Sequence, residues 1–412
     1  MDFMIVIYFK DIVIDLLRVS DPRANMGRLI SMDAGRQIVV ISEAFHSGSG
    51  SYLQGLVNEL SLLEPVVLLS PRHETESRFL STVGRFLLPR IDELRPKFLK
   101  ALGMQYQTFC RIWQALRLRP HTSTYLVLFP GNIFFALQLL ALLRLVGARI
   151  VLNVHDVRPH VRQAGFLPAS VEHWLFCLCY RMAHHIVVLT RASADEMGTS
   201  HGVAHDRVSI VAHGAFSLTD KALPLPEHPG RFLVFGALRE NKSIFESISA
   251  VQALRRNGEL ASLIIAGQPQ EKDYRENCKR LIATAPDGID VHEGYLASSD
   301  LPALFAGCSA LLLPYRDFTS QSGVAVMSVI SGRSIVAVPT GGINELFEAG
   351  SVGVMIDEPV NTESISAALR SFMSSPIEPR YVDVIAVGDR LKKKLSWPVV
   401  AAEFRRCLTA MP

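Results

Sequence analysis

The chain has 412 residues, of which 42 are Lys or Arg and 39 are Asp or Glu, so its formal net charge is only +3. Hydrophobic residues make up 49% and charged residues 20%, a globular composition that excludes a fibrous, low-complexity or disordered chain. A chain of this length predicts about two or three domains, each large enough to bury its own core.

The six cysteines form no CxxC pair and show no ligand spacing with histidine. We therefore expect no zinc site and no disulfide framework, and interpret the cysteines as buried small hydrophobes in a reducing, cytoplasmic compartment. The opening segment carries Lys10 and several aspartates and lacks a small-residue cleavage site, so it is a poor signal peptide; a start at Met32 would remove it. The apolar block from Ile133 to Leu143 is too short to span a bilayer and is followed by Arg144.

The first predicted strand, Gln37 to Glu43, follows an N-terminal extension of residues 1–36. It runs into a glycine-rich segment and then into a helical pattern of leucines and valine. A glycine-rich turn between a strand and a helix lets the backbone approach a ligand closely, which makes Gly48, Ser49 and Gly50 candidate binding residues. The alternative is that these glycines serve only the geometry of the turn.

Positive charge is concentrated between Arg72 and Arg119, a segment that contains ten Lys and Arg but only four Asp and Glu, interspersed with Phe and Leu residues. This pattern fits an amphipathic basic surface on the inner face of the cell membrane, against anionic lipid headgroups. It fits equally a solvated helical face of a basic protein. No helix-turn-helix, RRM or zinc pattern accompanies the charge, so we expect no nucleic-acid partner.

Ionisable side chains follow the predicted strand Arg149 to Val154, in the segment His155-Asp156-Val157-Arg158-Pro159-His160. Polar groups at the carboxyl end of a buried strand occupy the place where α/β enzymes carry out chemistry, and a proline turns the chain there. His155 and Asp156 are therefore candidate catalytic residues, with His160 nearby. The alternative is a histidine whose hydrogen bonds are satisfied in a structural turn.

A domain boundary is predicted near the middle of the chain. Ser193 and Glu196 predict a capping box at the start of a helix, which leads to a strand ending at His213-Gly214. The next segment is polar and contains Pro224, Pro226 and Pro229, as in a linker. The predicted units are an N-terminal domain over 37–215, a linker over 216–231, a C-terminal domain over 232–396 and a final helix over 397–412.

Two cations follow the strand with which the second sheet begins, Phe232 to Phe235. They are Arg239 and Lys242, in a turn that opens with Gly236. Cations at the mouth of a strand can neutralise a diphosphate and stabilise it as a leaving group. The alternative is a pair of surface cations with no ligand.

The segment Leu312 to Glu345 is the most informative part of the chain. An apolar strand, Ser309 to Pro314, enters a polar loop and then a helix near Gln321; a second strand, Ser334 to Pro339, ends in a glycine turn. Both strand ends reach the edge where open parallel sheets bind ligands. Hydroxyls and backbone N–H groups at a helix N-terminus favour a phosphate, so the candidate ligands here are Gln321, Ser322 and Gly323.

This segment resembles the donor-binding core of the retaining GT4-like glycosyltransferases, the glycosyl transferases group 1 of bacterial exopolysaccharide biosynthesis. Lys242 falls on the family's lysine, and Gly341, Gly342 and Glu345 resemble its GG-x-x-E turn. The resemblance implies an α/β fold of the GT-B type, with two Rossmann-like parallel-sheet domains facing across a cleft and a final helix that crosses back. It also implies a UDP- or GDP-sugar donor, a lipid-linked saccharide acceptor, retention, and no metal or other cofactor.

The same resemblance implies a role for each candidate. Gly48, Ser49 and Gly50 would lie near the donor pyrophosphate and the acceptor, His155 against the transferred sugar, and Glu345 on a ribose or sugar hydroxyl. Some positions depart from the family pattern. Thr319 and Met327 replace its pair of glutamates, and Ala237 replaces its arginine, for which Arg239 would substitute from two residues away. A GT-B-fold epimerase and a non-catalytic binding or scaffold protein therefore remain alternatives.

Overall fold

A computed structural model describes residues 37–42, 47–71, 79–88, 97–118, 123–128, 132–157 and 167–409. The N-terminal extension of residues 1–36 and His160 lie outside these ranges. The chain forms two compact units. The first consists of the described residues up to Val188, with 196–211 and the chain from Val400; the second consists of 189–195 and 212–399.

The first unit is built on a parallel sheet whose strands, within the described residues, follow the order β3-β2-β1-β4-β5-β6-β7. Ile38 of β1 pairs with Val66 of β2 on one side and with Thr124 of β4 on the other. All residues of the two central strands are buried, as expected where helices cover both faces of a parallel sheet. The strands are β1 (Ile38–Ser42), β2 (Val66–Pro71), β3 (Gly84–Leu88), β4 (Thr124–Leu128), β5 (Arg149–Val154), β6 (His185–Val188) and β7 (Val208–Ile210).

The helices of this half of the chain lie between the strands and carry the crossovers. They are α1 (Ser47–Leu63), α2 (Lys97–Arg117), α3 (Ile133–Leu145), α4 (Ala169–Met182) and α5 (Arg191–His201). The first residues of α5 group with the second unit and the rest with the first.

The second unit is built on a parallel sheet with the order β10-β9-β8-β11-β12-β13, and a buried hydrophobic cluster covers each of its faces. Its strands are β8 (Arg231–Phe235), β9 (Ser262–Gly267), β10 (Ile289–Glu293), β11 (Ala310–Leu313), β12 (Ser334–Ala337) and β13 (Gly353–Met355). Its helices are α6 (Ile244–Arg256), α7 (Lys272–Thr284), α8 (Leu301–Ala306), α9 (Gly323–Ile330), α10 (Gly342–Glu348), α11 (Thr362–Ser374), α12 (Ile377–Lys394) and α13 (Trp397–Thr409), of which the last continues into the first unit.

The two Rossmann-like parallel sheets confirm the predicted fold class, but two predictions of local structure are wrong. Gly48, Ser49 and Gly50 lie in the first turn of α1, not in a turn before it, because burial of Tyr52 and Leu53 outweighs the low helix propensity of glycine and serine. Likewise, α5 begins two residues before Ser193. Its cap is Thr190, whose hydroxyl accepts a hydrogen bond from the Ser193 amide (3.0 Å).

The segment 216–231, whose composition predicts a linker, packs on the second unit. Leu223 is buried, and its backbone bonds to Ser331 (2.9 Å) and to the Tyr381 hydroxyl (2.6 Å). The fully buried Arg333 donates hydrogen bonds to four carbonyl oxygens, one of which belongs to Pro224 (2.7 Å). These bonds hold the segment against the sheet.

Of the helices within the described ranges, none combines the length and the apolar character that a bilayer crossing requires.

Candidate functional site

The second sheet has a topological switch point between β8 and β11. From β8 the chain winds outward through β9 and β10, and from β11 it winds the opposite way through β12 and β13. Loops that leave two such neighbouring strands diverge and open a crevice at the carboxyl edge of the sheet. The loop after β8 carries Gly236 and Lys242, and the loop after β11 leads to Ser322. The crevice is therefore lined by residues predicted to bind an anion.

Lys242 ends a short 3₁₀ turn, Glu240–Lys242, and its side chain points back toward the end of β8. Its Nζ donates a hydrogen bond to the Phe235 carbonyl (2.9 Å) and lies 5.4 Å from the centre of the Tyr315 ring. Burial of the ammonium, together with the positive charge of Arg239, lowers the pKa of Lys242 to about 7. In neutral solution this lysine is thus divided between its charged and uncharged forms.

Arg239 adds a second cation to the same turn. It is partly buried, and within the described residues neither Arg239 nor Lys242 forms an ion pair with a carboxylate. Cations left without a carboxylate partner at a sheet edge make the local potential positive. An anion bound in the crevice would stabilise both charges.

Gly236 lies where the cation and a helix start converge. A Cβ built at Gly236 would lie 3.2 Å from Lys242 Nζ and 3.9 Å from the side chain of Val324, in the first turn of α9. Any side chain at this position would enter the space beside the ammonium. The glycine therefore keeps the space between Lys242 and α9 open.

The start of α9 presents backbone donors. Ser322 caps the helix through a hydrogen bond that its hydroxyl accepts from the Ala325 amide (3.2 Å). Gly323 is exposed, and a Cβ there would meet nothing within 4 Å. The first N–H groups of a helix have no intrahelical acceptor, so those of Gly323 and Val324 are suited to an anion.

Gln321 supports, through its side chain, the loop before α9, which comprises residues 314–322 between β11 and α9. Its Oε1 accepts a hydrogen bond from the His213 amide (2.7 Å), and its Nε2 donates to the His213 carbonyl (3.3 Å). The side chain is buried, so its amide is engaged with backbone instead of reaching into the crevice. The sequence predicts Gln321 as a ligand, whereas in the structure its side chain holds the loop to the chain at His213.

The predicted glycine turn packs directly under the loop before α9. The Thr340 hydroxyl donates to the Phe318 carbonyl (2.7 Å), and the Gly342 amide donates to the Ser320 carbonyl (3.0 Å). Gly341 has φ 52° and ψ −134°, and a Cβ there would lie 2.6 Å from the carbonyl carbon of Thr319. Only glycine fits both this backbone conformation and this approach.

The carbonyl of Thr319 is held by hydroxyls that the sequence analysis did not single out as site residues. It accepts hydrogen bonds from Thr190 Oγ1 (2.8 Å) and from Ser193 Oγ (3.2 Å). Both hydroxyl residues are fully buried. Their sequence signal is a threonine two residues after the buried strand β6, at the edge where strands end, followed by a serine one helical turn later.

Glu345 lies on α10, after the glycine turn, and its carboxylate contacts Arg191 at the start of α5. Glu345 Oε1 accepts a hydrogen bond from the Arg191 amide (2.9 Å) and lies 3.7 Å from Arg191 Nε. Glu348 forms an ion pair with the same guanidinium. The predicted ligand of a ribose or sugar hydroxyl is thus part of an ionic cluster at the surface of the second unit.

The first unit carries the remaining candidates. His155 and Asp156 follow β5, and His155 Nδ1 lies 3.1 Å from Asp156 Oδ2. A carboxylate at this distance favours the imidazole with a proton on Nδ1, as required of a histidine that is to act through its other nitrogen. Both side chains are about one third exposed, at 34% and 30%. Gly48, Ser49 and Gly50 follow β1, which borders the switch point of this sheet between β1 and β4.

The second half of the chain is similar to a known family. Residues 217–386 match the family Glycosyl transferases group 1. Residues 217–386 are named the glycosyl transferases group 1 domain after this match. Gly236, Arg239, Lys242, the start of α9 and the Gly341 turn all lie inside this domain, whereas His155 and Thr190 lie outside it.

Two curated relatives match somewhat more than half of the chain. The glycogen synthase of Mycobacterium tuberculosis is 25% identical over 238 residues, which cover 56% of this chain and 54% of that protein. The alpha-D-kanosaminyltransferase of Streptomyces kanamyceticus is 22% identical over 251 residues, 57% of this chain and 63% of that one. Each match thus spans less than two thirds of the relative's length.

Solved structures similar to this chain cover both units. The Anabaena protein Alr3699/HepE in complex with UDP has a TM-score of 0.69 and 12% identity over 91% of this chain and 100% of its own. Sucrose-phosphate synthase from Thermosynechococcus elongatus has a TM-score of 0.70 and 13% identity over 90% of this chain and 98% of its own. The fold is therefore GT-B, and the glycosyl transferases group 1 domain supplies its second sheet.

Proposed function

We propose that the protein is a hexosyltransferase that moves a sugar from a nucleotide-sugar to a hydroxyl group of an acceptor. The observation that carries the proposal is the convergence at Gly236, where the Lys242 ammonium and the first turn of α9 lie within 4 Å of one point. A cation and free backbone donors at a switch point suit a diphosphate. The family of residues 217–386 supports the same function.

The proposed reaction exchanges one bond at the anomeric carbon for another. The bond from that carbon to the diphosphate oxygen breaks, the acceptor oxygen bonds to the carbon, and the acceptor proton passes to the departing diphosphate. We propose that this occurs on one face of the sugar, with retention. Lys242, Arg239 and the N–H groups of Gly323 and Val324 would stabilise the charge that develops on the diphosphate.

The donor we propose is a UDP- or GDP-sugar. One structurally similar protein, HepE of Anabaena, has been solved in complex with UDP and with UDP-glucose, which favours UDP as the first nucleotide to test. We assign Glu345 to a ribose or sugar hydroxyl and the His155–Asp156 pair to the transferred sugar. Gly48, Ser49 and Gly50 are assigned to the region of the pyrophosphate and the acceptor.

The acceptor we propose is a lipid-linked saccharide of exopolysaccharide biosynthesis, met at the surface of a membrane. Supporting this, α2 carries an outward apolar ridge of Phe109, Trp113 and Leu116, spaced as one helical face. The Phe109 and Trp113 rings are stacked with centroids 6.5 Å apart, and the Arg117 guanidinium lies over the Trp113 ring at 4.8 Å. Aromatic rings beside a cation suit the interface of an anionic bilayer.

Replacing both Phe109 and Trp113 by serine is expected to weaken binding to anionic liposomes at least about tenfold, because each ring that enters the interface contributes about 1 kcal/mol or more. Co-sedimentation with phosphatidylglycerol vesicles at low ionic strength measures this, with phosphatidylcholine vesicles for comparison. Trp174→Ser is the matched control, since Trp174 is equally exposed but lies on α4. Wild-type protein that stays in the supernatant would contradict the membrane contact.

A non-catalytic nucleotide-sugar-binding protein is the second candidate function. The family's glutamate pair is replaced by Thr319 and Met327, and Met327 packs against the hydrophobic core of the second unit. The same replacements argue against an epimerase, which needs groups that move protons.

The function is tested in two steps. Calorimetry with UDP, GDP and ADP identifies the nucleotide that binds, and mass spectrometry then follows its common sugar conjugates with and without membrane lipid extract. Transfer predicts an acceptor-dependent release of nucleotide and a glycosylated lipid. Sugar epimerised without acceptor would indicate an epimerase, binding without turnover would indicate the non-catalytic candidate, and no binding of any nucleotide would refute the proposal.

The affinity for UDP is expected to fall by up to about tenfold per pH unit as the pH rises above 7. The pKa of Lys242 is about 7 in the free protein, and a bound diphosphate raises it, so the complex holds a proton that the free protein has lost. Calorimetry between pH 6.5 and 9, in buffers of different ionisation enthalpy, counts that proton. The Lys242→Arg variant keeps its charge in this range, so its UDP affinity should not depend on pH through this residue. A pH-independent wild-type affinity would contradict the prediction.

A further inference from the structure

The loop before α9 is held by other segments at three successive carbonyls. That of Phe318 accepts from the Thr340 hydroxyl, that of Thr319 from the hydroxyls of Thr190 and Ser193, and that of Ser320 from the Gly342 amide. The C=O and N–H of a planar peptide point in opposite directions, so a fixed carbonyl also fixes the next amide. The path of this loop into α9 is therefore set from outside the loop.

Of these three attachments, only the middle one comes from a distant part of the sequence. Thr190 and Ser193 precede Thr319 by 129 and 126 residues, yet residues 189–195 group with the second unit. A further contact holds the same segment, because the Arg191 amide donates to the Glu345 carboxylate (2.9 Å). The segment 189–195 thus contacts the loop before α9 and also α10.

We propose that Thr190 and Ser193 are positioning residues for the donor, whose hydroxyls hold the Thr319 carbonyl and so set the loop that leads to the N-terminus of α9. This inference rests on the proposed function. It assigns a role in donor binding to residues outside the glycosyl transferases group 1 domain. Neither hydroxyl touches the donor; both act through Thr319.

The two residues can be separated experimentally, because Thr190 also caps α5. Its Oγ1 accepts the Ser193 amide hydrogen (3.0 Å), so Thr190→Val removes both the cap and the bond to Thr319. Ser193→Ala removes the second hydroxyl, together with its contact to Thr190 Oγ1 (2.9 Å), but leaves the cap in place because the Ser193 amide keeps its bond to Thr190. Thr190→Ser retains a hydroxyl that can serve both functions.

The matched control is a variant that removes a helix cap elsewhere in the second unit and leaves the contacts of the loop before α9 unchanged. Asn361 caps α11 in the same unit by accepting the Ser364 amide hydrogen (2.8 Å). Asn361→Ala should lower the Tm by a few degrees, as Thr190→Val should, because each loses one capping bond. Only Thr190→Val should alter the loop before α9.

The experiment measures the dissociation constant of UDP by calorimetry, and KM and kcat for the UDP-sugar found to be the donor. Thr190→Val is expected to weaken UDP binding and to raise KM at least about fivefold, Ser193→Ala to do so more weakly, and Thr190→Ser to restore wild-type values. Equal UDP affinities in Thr190→Val and wild type would overturn the inference alone, as would an equal loss in Asn361→Ala. A wild type that binds no nucleotide would overturn the proposed function and this inference with it.

Discussion

Replacing Lys242 by methionine is expected to lower kcat for sugar transfer at least about a hundredfold, because the departing diphosphate loses a buried cation held beside it. Methionine is unbranched and can follow the same path past the Tyr315 ring. The expected loss is in kcat more than in KM, since charge builds up on the leaving diphosphate in the transition state.

The fold should tolerate this change. The hydrogen bond of Lys242 goes to the Phe235 carbonyl, and burial that lowers its pKa to about 7 shows that the charged form is disfavoured in the free protein. We therefore expect the free energy of unfolding to change by about 1 kcal/mol or less. Lys272→Met, at an exposed position that opens α7, is the control and should keep wild-type activity. Wild-type turnover in Lys242→Met would remove Lys242 from the mechanism.

Replacing Gly341 by alanine is expected to destabilise the protein by about 2–4 kcal/mol and to weaken nucleotide binding at least about tenfold. Its backbone angles, φ 52° and ψ −134°, are unfavourable for any residue with a Cβ. The added carbon would also lie 2.6 Å from the carbonyl carbon of Thr319 and 2.8 Å from the carbonyl oxygen of Ser320. The loop before α9 would have to move, and the donors at Gly323 with it.

Urea unfolding and UDP calorimetry on the same preparation measure both effects. Gly307→Ala is the control: it lies in the same unit, its φ is −72°, and its added carbon would stay 3.4 Å from the nearest atom. This variant should match wild type in both measurements. Normal UDP affinity in a destabilised Gly341→Ala would show that the glycine turn serves the fold but not the site.

Much of the fold can be predicted from the chain because the strands of parallel sheets are buried on both faces. Apolar runs such as Ser309 to Pro314 and Ser334 to Pro339 mark β11 and β12 to within two residues. Strand β3, Gly84–Leu88, is not evident in the same way, since its short sequence GRFLL lies inside a segment dominated by charge. Short edge strands carry little periodicity, and their pairing decides their existence.

The residues of the candidate site also differ in whether local sequence alone can predict them. Gly236 directly follows β8 and Lys242 lies in the turn that Gly236 opens, so local spacing and sheet topology alone predict that both lie at the carboxyl edge of the sheet. The attachment of Thr190 to Thr319 could not be predicted, because it joins segments 129 residues apart and depends on tertiary packing. The role of Gln321 was hidden for the same reason: its residue type is that of a ligand, and only the structure shows its amide on His213.

The end of α13 bears on how the protein is made. Val400, Phe404 and Leu408 are buried, and Arg405 contacts Glu64 (2.5 Å), so the final helix completes the unit that begins with β1. During synthesis, helix α13 therefore becomes available to the first unit only after the whole second sheet has left the ribosome. Folding of the first unit can therefore be completed only after the second half of the chain has been translated. A chain truncated before Val400 would lack the final helix, and its first unit would be more susceptible to proteolysis.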